Sequence, residues 1–466
     1  MTIDPADKPP GESRLRVSNG LALAGVVLFS AGIALPALFT GPSWLAEVRW
    51  SGLICIALGG LRRRTLTYWI FFAILAGGEL GFDRPGLAEH LRFLSDIFLR
   101  LIKVIVAPLI LGSLISGIAG HGNLRALGRI SLKTLIYFEL VTTLALFIGV
   151  AAIDISRAGE GLAISQTAAS SGPAIAAPES WDLFLVQIFP ENLAKSIADG
   201  QILQVAVFAV LFGIALSCVS EGSRAPILNF CQSLTQTMFF FTNIVMYFAP
   251  LGVGAAMAYT VGHLGAGALV PLAKLLVTAY IAFFAFILVV LLPVALFARV
   301  PLRRFLKAVA EPASIAFATS TSEAALPRAM EEMEIFGVPR EIVAFVIPAG
   351  YSFNMDGSTL YLALASIFVA QAAGIHMHWT NQLAMVFTLM LMSKGIAGVP
   401  RAVLVVLTAT SAMFHLPSEP IFLILGIDAL IDMGRTALNV FGNCLASAVI
   451  ARSEGGLAVD SSRPGA

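Results

Sequence analysis

The sequence predicts an all-α polytopic membrane protein organised as inverted repeats, and three observations predict it. Of the 466 residues 58% are hydrophobic and only 12% charged, against about 25% charged in an average soluble domain. Charge-free apolar runs recur along the chain at the length of about 20 residues that a helix needs to cross a bilayer. Two further apolar segments are interrupted, and each precedes a long helix with polar groups at mid-depth, as in membrane proteins made of paired inverted halves.

The elements follow in order. Residues 1–17 are polar and Pro-rich, so a disordered N-terminus is expected. The run 18–40 is too long for a signal-peptide core and lacks a cleavage site. With the shorter run 47–61 it forms an extra N-terminal hydrophobic hairpin, residues 18–61, read as lipid-facing. Spanning segments are expected at 64–82, 92–119, 131–153, 201–219, 226–262, 268–298, 341–372 and 420–451. Basic residues set the orientation. Arg14, Arg16, Arg62, Arg63, Arg64, Arg125, Arg129, Lys133, Arg299, Arg303, Arg304 and Lys307 all fall inside if both termini are cytoplasmic. The Ser/Ala/Gly/Pro-rich loop from Ser156 to Ser180 then lies outside, and 453–466 is a cytoplasmic tail.

Two regions are not whole spans. Residues 305–333 contain AFATSTSEAALPRAM, and residues 381–417 contain LMLMSKGIAGVPRAVLVVL. Arms of roughly 10–15 apolar residues around a Gly/Pro/charged centre suit a re-entrant hairpin better than a span. Broken backbone at that depth is tolerated only where protein buries it or a cavity wets it. The pairing of such segments points to a transporter whose site lies between them.

The polar groups of the last span fall on one stripe. Asp428, Asp432, Arg435, Asn439 and Asn443 are spaced i, i+4, i+7, i+11 and i+15, so they share a helix face and can turn from lipid together. A charge at the bilayer centre costs roughly 2.5–3.5 kcal/mol on the lenient insertion scale, so a ligand or partner must offset it. Arg435 is read as a fork for a substrate carboxylate; the alternative is an internal ion pair with Asp432 or Asp428. Asp432 is read as the acceptor for a substrate ammonium. The remaining carboxylate would meet helix N-termini at the two tips: Ser320, Thr321 and Ser322, and Ala397, Gly398 and Val399. In NMDG, Asn354 and Asp356 sit beside Gly357, read as a helix breaker, and their hard oxygens suit a small cation. Glu139, Glu323 and Asp428 are candidate proton carriers, since burial raises a carboxyl pKa. His415 is read as a packed, hydrogen-bonded residue.

Other classes find little support. Net charge is +1 with no basic stripe, which speaks against nucleic acid. No nucleophile–base pair, phosphate loop or metal cluster is present, so an enzyme is not expected. Cys55, Cys218, Cys231 and Cys444 lack metal or disulfide spacing and read as packing residues.

TSTSEAALP, SFNMDGSTLY, SKGIAGVP and DMGRTALNV, in that order, resemble the dicarboxylate/amino acid:cation symporters, the glutamate transporter family, over roughly Leu66 to Arg452. The resemblance implies a glutamate-transporter-like fold in the cell inner membrane: a homotrimer of independent protomers with no cofactor beyond the co-transported proton or sodium ion. Residues 64–119 and 182–262 would be scaffold. Residues 131–153 and 268–452 would move as an elevator, with hairpins at 305–333 and 381–417 and broken helices at 341–372 and 420–451. Arg435 would then bind the side-chain carboxylate of glutamate or aspartate, Asp432 its amino group and Asn439 its α-carboxylate. Thr436 and Ser358 would stand beside the substrate, with Ser322 and Val399–Pro400 closing over it. Asn354, Met355, Asp356, Asn439 and Asn443 would hold cations, with Thr142 or Thr143 a looser match. Some positions differ from the family pattern. Asn443 stands where sodium-coupled members commonly have aspartate, Leu362 replaces a glutamate or glutamine, and Arg401 replaces a glycine. A C4-dicarboxylate carrier, an anion channel and a non-transporting sensor are the rival readings.

Overall fold

The computed structural model describes residues 21–31, 44–61, 66–119, 128–162, 186, 189–199, 201–375, 377–393, 402–414, 416–417 and 419–457. The expected N-terminal disorder, most of the Ser156–Ser180 loop, most of the tail, His415 and the tip of the second hairpin with Arg401 lie outside them. Every regular element among the described residues is helical. Among the described residues four helical stretches are long and apolar enough to cross a membrane: Pro85–Ser116, Leu132–Ser156, Ala266–Phe297 and Arg340–Ala372. The chain falls into two compact units, one of residues 1–98 with 247–267 and one of 99–246 with 268–466.

The first unit contains α1 (Leu21–Ala31) and α2 (Trp44–Gly60), α3 (Leu66–Asp83), α4 (Pro85–His90) and the first turns of α5 (Arg92–Ala119). It is completed by the later helix Ala249–Leu264, which packs along α3. The extra hairpin is not held by apolar contact alone. Arg49 of α2 is buried and reaches two carboxylates of α3, Glu79 at 2.5 Å and Asp83 at 3.0 Å. Trp50 Nε1 donates to Asp83 at 2.8 Å, so α2 is tied to α3 through a paired buried charge. Trp44, Ile54 and Leu58 are exposed along α2, the outward apolar face expected of a lipid-facing helix.

The second unit continues with α6 (Gly128–Ser156), α7 (Leu193–Ala198), α8 (Ile202–Cys218) and α9 (Glu221–Met246). The expected single segment 226–262 ends instead at Met246 and restarts as α10 (Ala249–Leu264), where Pro250 occupies the first turn and its missing N–H is harmless. Then come α11 (Leu269–Phe286), a π-helical turn Ile287–Leu291 and α12 (Leu292–Phe297). Pro293 cannot donate to the turn before it, and the widened turn accommodates that loss.

Residues 302–336 form a helix–turn–helix pair, α13 (Leu302–Thr319) and α14 (Ser322–Phe336), joined by Ser320 in the left-handed region at φ 54°. The two pack on each other. The next segment breaks as expected into α15 (Arg340–Phe353) and α16 (Asp356–Ala372). The break falls at Asn354 and Met355, whose backbones leave the helical region, and not at Gly357, which lies in the first turn of α16. Residues 381–417 give two arms, α17 (Trp379–Ser393) and α18 (Ala402–Met413).

The last helix, α19 (Glu419–Ser453), is continuous over 35 residues, which corrects the expected broken helix at 420–451. Its only proline, Pro420, lies in the first turn, and glycine alone costs a helix interior roughly 1 kcal/mol, which packing readily offsets. At the centre of the unit, α16 is apolar beyond its polar first turn apart from a few small polar groups, and it is buried along nearly its whole length, as a helix without a solvent-facing polar side must be. It packs against α6, α17, α18 and α19, while α13, α14 and α15 cover other parts of α19.

Candidate substrate and cation site

The polar stripe of α19 faces the broken start of α16. At that break the first backbone N–H groups of α16 have no partner within the helix, and a side chain from α19 supplies one. Asn439 Oδ1 accepts from Gly357 N at 2.8 Å and from Ser358 N at 3.3 Å. The close approach explains the glycine: a Cβ at Gly357 would stand 2.4 Å from the Arg435 carbonyl oxygen. Asn439 Nδ2 in turn donates to Ser358 Oγ at 3.0 Å. Ser358 therefore gathers α19 onto the tip of α16.

Arg435 donates to the same hydroxyl, NH1 to Ser358 Oγ at 2.9 Å. Its NH2 lies 2.6 Å from Asp432 Oδ1. Of the two readings for Arg435, the internal ion pair forms, and Asp432 is the partner. Thr436 Oγ1 donates to the same Asp432 oxygen at 3.3 Å, while Arg435 Nε is buried without a hydrogen-bond partner. Asp428 is fully buried, and with Arg435 and Asp432 it lies in electrostatic reach of the Tyr361 phenol.

One helical turn further along α19, a second cluster forms. Asn354 Nδ2 donates to Asp356 Oδ2 at 3.2 Å and to Asn443 Oδ1 at 2.9 Å. The Asn354 Oδ1 atom is buried with no donor facing it, a hard oxygen available to a cation. Gly442 makes room for this cluster, since a Cβ there would stand 2.2 Å from Asp356 Oδ2. Met355 is buried at the break. The sequence reading passed over Tyr137, a half-buried tyrosine of α6 in electrostatic reach of Asp356 whose buried hydroxyl has no hydrogen-bond partner. A tyrosine within the span, three residues after Thr134 and five before Thr142, was the signal.

Together the two clusters bury three carboxylates, Asp356, Asp428 and Asp432, against the one guanidinium of Arg435.

The other expected residues lie apart from this core. Thr142 and Thr143 on α6 donate to their own helix, to Phe138 O at 2.7 Å and Glu139 O at 2.6 Å. Glu139 is half-buried. At the α13–α14 junction Ser320 caps α13 and Ser322 begins α14. Thr321 bonds back to Thr319 at 3.3 Å. The Glu323 side chain and the second tip, Ala397, Gly398, Val399 and Pro400, lie outside the described residues.

Comparison with known proteins gives the family. The profile of the sodium:dicarboxylate symporter family matches residues 66–453. A proton/sodium-glutamate symport protein of Geobacillus stearothermophilus is 40% identical over 405 residues, covering 85% of this chain and 96% of its own length. The proton/glutamate-aspartate symporter of Escherichia coli is 40% identical, with 84% and 93% covered. A C4-dicarboxylate transport protein of Bacillus subtilis is 36% identical, with 84% and 94% covered. Matched in this way over most of its length, the chain belongs to the sodium:dicarboxylate symporter family.

Proposed function

We propose that the chain takes up glutamate and aspartate in symport with protons or sodium ions, by an elevator motion of a transport domain within a homotrimer. The observation that carries this reading is the Arg435–Asp432 pair beside a buried excess of carboxylate. An acidic amino acid offers both of the exchanges that the pair requires. Its side-chain carboxylate replaces Asp432 on the guanidinium, and its ammonium replaces Arg435 on Asp432. Ser358, Thr436 and Asn439 border the exchange, while Asn354, Asp356, Asn443 and the Thr142 and Thr143 hydroxyls supply cation oxygens. The α13–α14 and α17–α18 pairs serve as re-entrant hairpins that cover the site, and the names of the relatives above support both the substrate class and the coupling ions. On this reading residues 64–119 and 182–262 anchor the trimer in the inner membrane, and both termini face the cytoplasm.

A C4-dicarboxylate is the second reading. It is favoured by the relatives of that name and by the ion pair itself, which gives Asp432 a partner without any substrate ammonium. Uptake of labelled L-aspartate into proteoliposomes, competed with L-glutamate and with succinate, separates the two. Glutamate alone should compete in the wild type, and Asp432→Asn should erode the discrimination. Equal competition by succinate would remove Asp432 from the recognition of an ammonium.

A further inference from the structure

A cavity of about 300 Å³ lies elsewhere in the second unit, between the end of α6, the end of α16 and the first turn of α17, lined in part by Asp154, Arg157, Glu160, Gln371 and Gln382. Along α16 it stands roughly 20 Å from Ser358, at 1.5 Å per residue. It is at the end of α6 opposite the basic Arg129 and Lys133, the end that the positive-inside rule turns outward.

Its polar groups are fixed in place. Gln371 Oε1 accepts from Gly159 N at 3.1 Å, and its Nε2 donates to Ile153 O at 3.3 Å. These bonds hold the turn that carries Arg157 and Glu160 over α16, and Lys274 Nζ ties the same turn by donating to Arg157 O at 3.3 Å. Gln382 Nε2 donates to Asp154 Oδ1 at 3.4 Å. That leaves Gln382 Oε1, on a residue only 9% exposed, with no hydrogen-bond partner. A buried carbonyl without a donor is uncommon enough to call for a ligand, and the carboxylate beside it makes the missing donor a positively charged one. Arg157 at the rim, 3.8 Å from Glu160 and mostly exposed, offers its guanidinium to an anion.

We propose that this cavity is a second binding site, for the zwitterionic end of an α-amino acid. The ammonium enters between Asp154 and Gln382, and the carboxylate meets Arg157. Occupancy joins the end of α6 to the first turn of α17, the start of the second hairpin. The identification of its ligand with the transported amino acid rests on the proposed function; the site geometry does not.

Calorimetric titration of the purified full-length protein with L-aspartate tests the proposal. Two classes of site are expected, one strong and one weak. Asp154→Asn and Gln382→Leu should each weaken the weak class at least tenfold and leave the strong class unchanged. Arg435→Ala should remove the strong class and keep the weak one. If that variant does not fold, the two cavity variants decide alone. Succinate, which has no ammonium, should not displace aspartate from the weak class, and methylamine, which has no carboxylate, should bind it at least tenfold less tightly. A single class of site unchanged by Asp154→Asn would overturn the cavity assignment and leave the proposed function standing. Displacement of the weak class by succinate as effectively as by aspartate would overturn the ammonium pocket. An absence of any aspartate binding would remove both readings.

Discussion

Replacing Asn443 by aspartate tests whether the second cluster is a cation site. The change keeps the shape of the side chain, which matters because the space is full: a Cβ at Gly350 would stand 2.3 Å from Asn443 Oδ1. What changes is charge. Asn443 Oδ1 and Asp356 Oδ2 both accept from Asn354 Nδ2, at 2.9 and 3.2 Å, so the two oxygens are no more than about 6 Å apart. At an effective dielectric of about 20, two carboxylates at that distance repel by about 3 kcal/mol. Without a cation the variant should be less stable by that order. A sodium ion between the two carboxylates relieves the repulsion, so sodium affinity should rise by up to about a hundredfold, at 1.4 kcal/mol per decade. The assay is thermal unfolding of the purified protein against sodium concentration near pH 8, since an ion that binds only the folded state stabilises it by RT ln(1 + [Na+]/Kd). Asn443→Asp should unfold earlier than the wild type in choline buffer and gain more from sodium. A variant with wild-type stability in choline and a wild-type sodium dependence would refute the placement of a cation beside Asn443.

Three other outcomes are expected. Arg435→Ala should abolish uptake of L-aspartate and destabilise the protein by about 3–5 kcal/mol, because Asp432 is left buried without its partner; Asp432→Asn in the same chain should restore part of the stability and none of the uptake. Gly442→Ala drives a methyl group to 2.2 Å from Asp356 Oδ2, an overpacking that should cost about 1–3 kcal/mol and blunt the response of the unfolding temperature to sodium; an unaltered sodium response would detach Asp356 from the cation. The third concerns pH. A hydrogen bond from Lys133 holds the Glu454 carboxyl below the usual carboxylate range, with Arg129 adding to it. A carboxyl depressed on folding contributes stability above its unfolded pKa of about 4.3 and loses it as pH falls through the lower folded value. Glu454→Gln should therefore narrow the gap in unfolding temperature from wild type only below about pH 4.3, and a difference that varied between pH 5 and 8 would contradict the assignment.

The legible part of the site was what a single helix spacing could carry. The α19 stripe was readable because its five polar groups recur at helical intervals in an otherwise apolar run, and the structure buries all five. The break at NMDG was readable as an event but misplaced, since Gly357 looks like a breaker on the page. Its actual location depends on Asn354, drawn between Asp356 and an asparagine 89 residues later. The role of Ser358 was illegible for the same reason: its partners Arg435 and Asn439 arrive from a helix some 80 residues downstream. Glycines misled in α19 as well, where Gly434 and Gly442 admit neighbouring side chains without interrupting the helix. The clamp of Arg49 on Glu79 and Asp83 could not be read from the hairpin alone, because charges 30 and 34 residues apart pair only once α2 lies on α3.

On the proposed function, movement of an acidic amino acid through this protein depends on a cation. The most direct test is accumulation of labelled L-aspartate in proteoliposomes under a sodium gradient or a proton gradient, imposed separately. Concentration of aspartate above its outside level under at least one gradient, and its loss when that gradient is collapsed, is the predicted result. Equilibration of aspartate to the outside level under both gradients, with no accumulation, would show a channel and contradict the account.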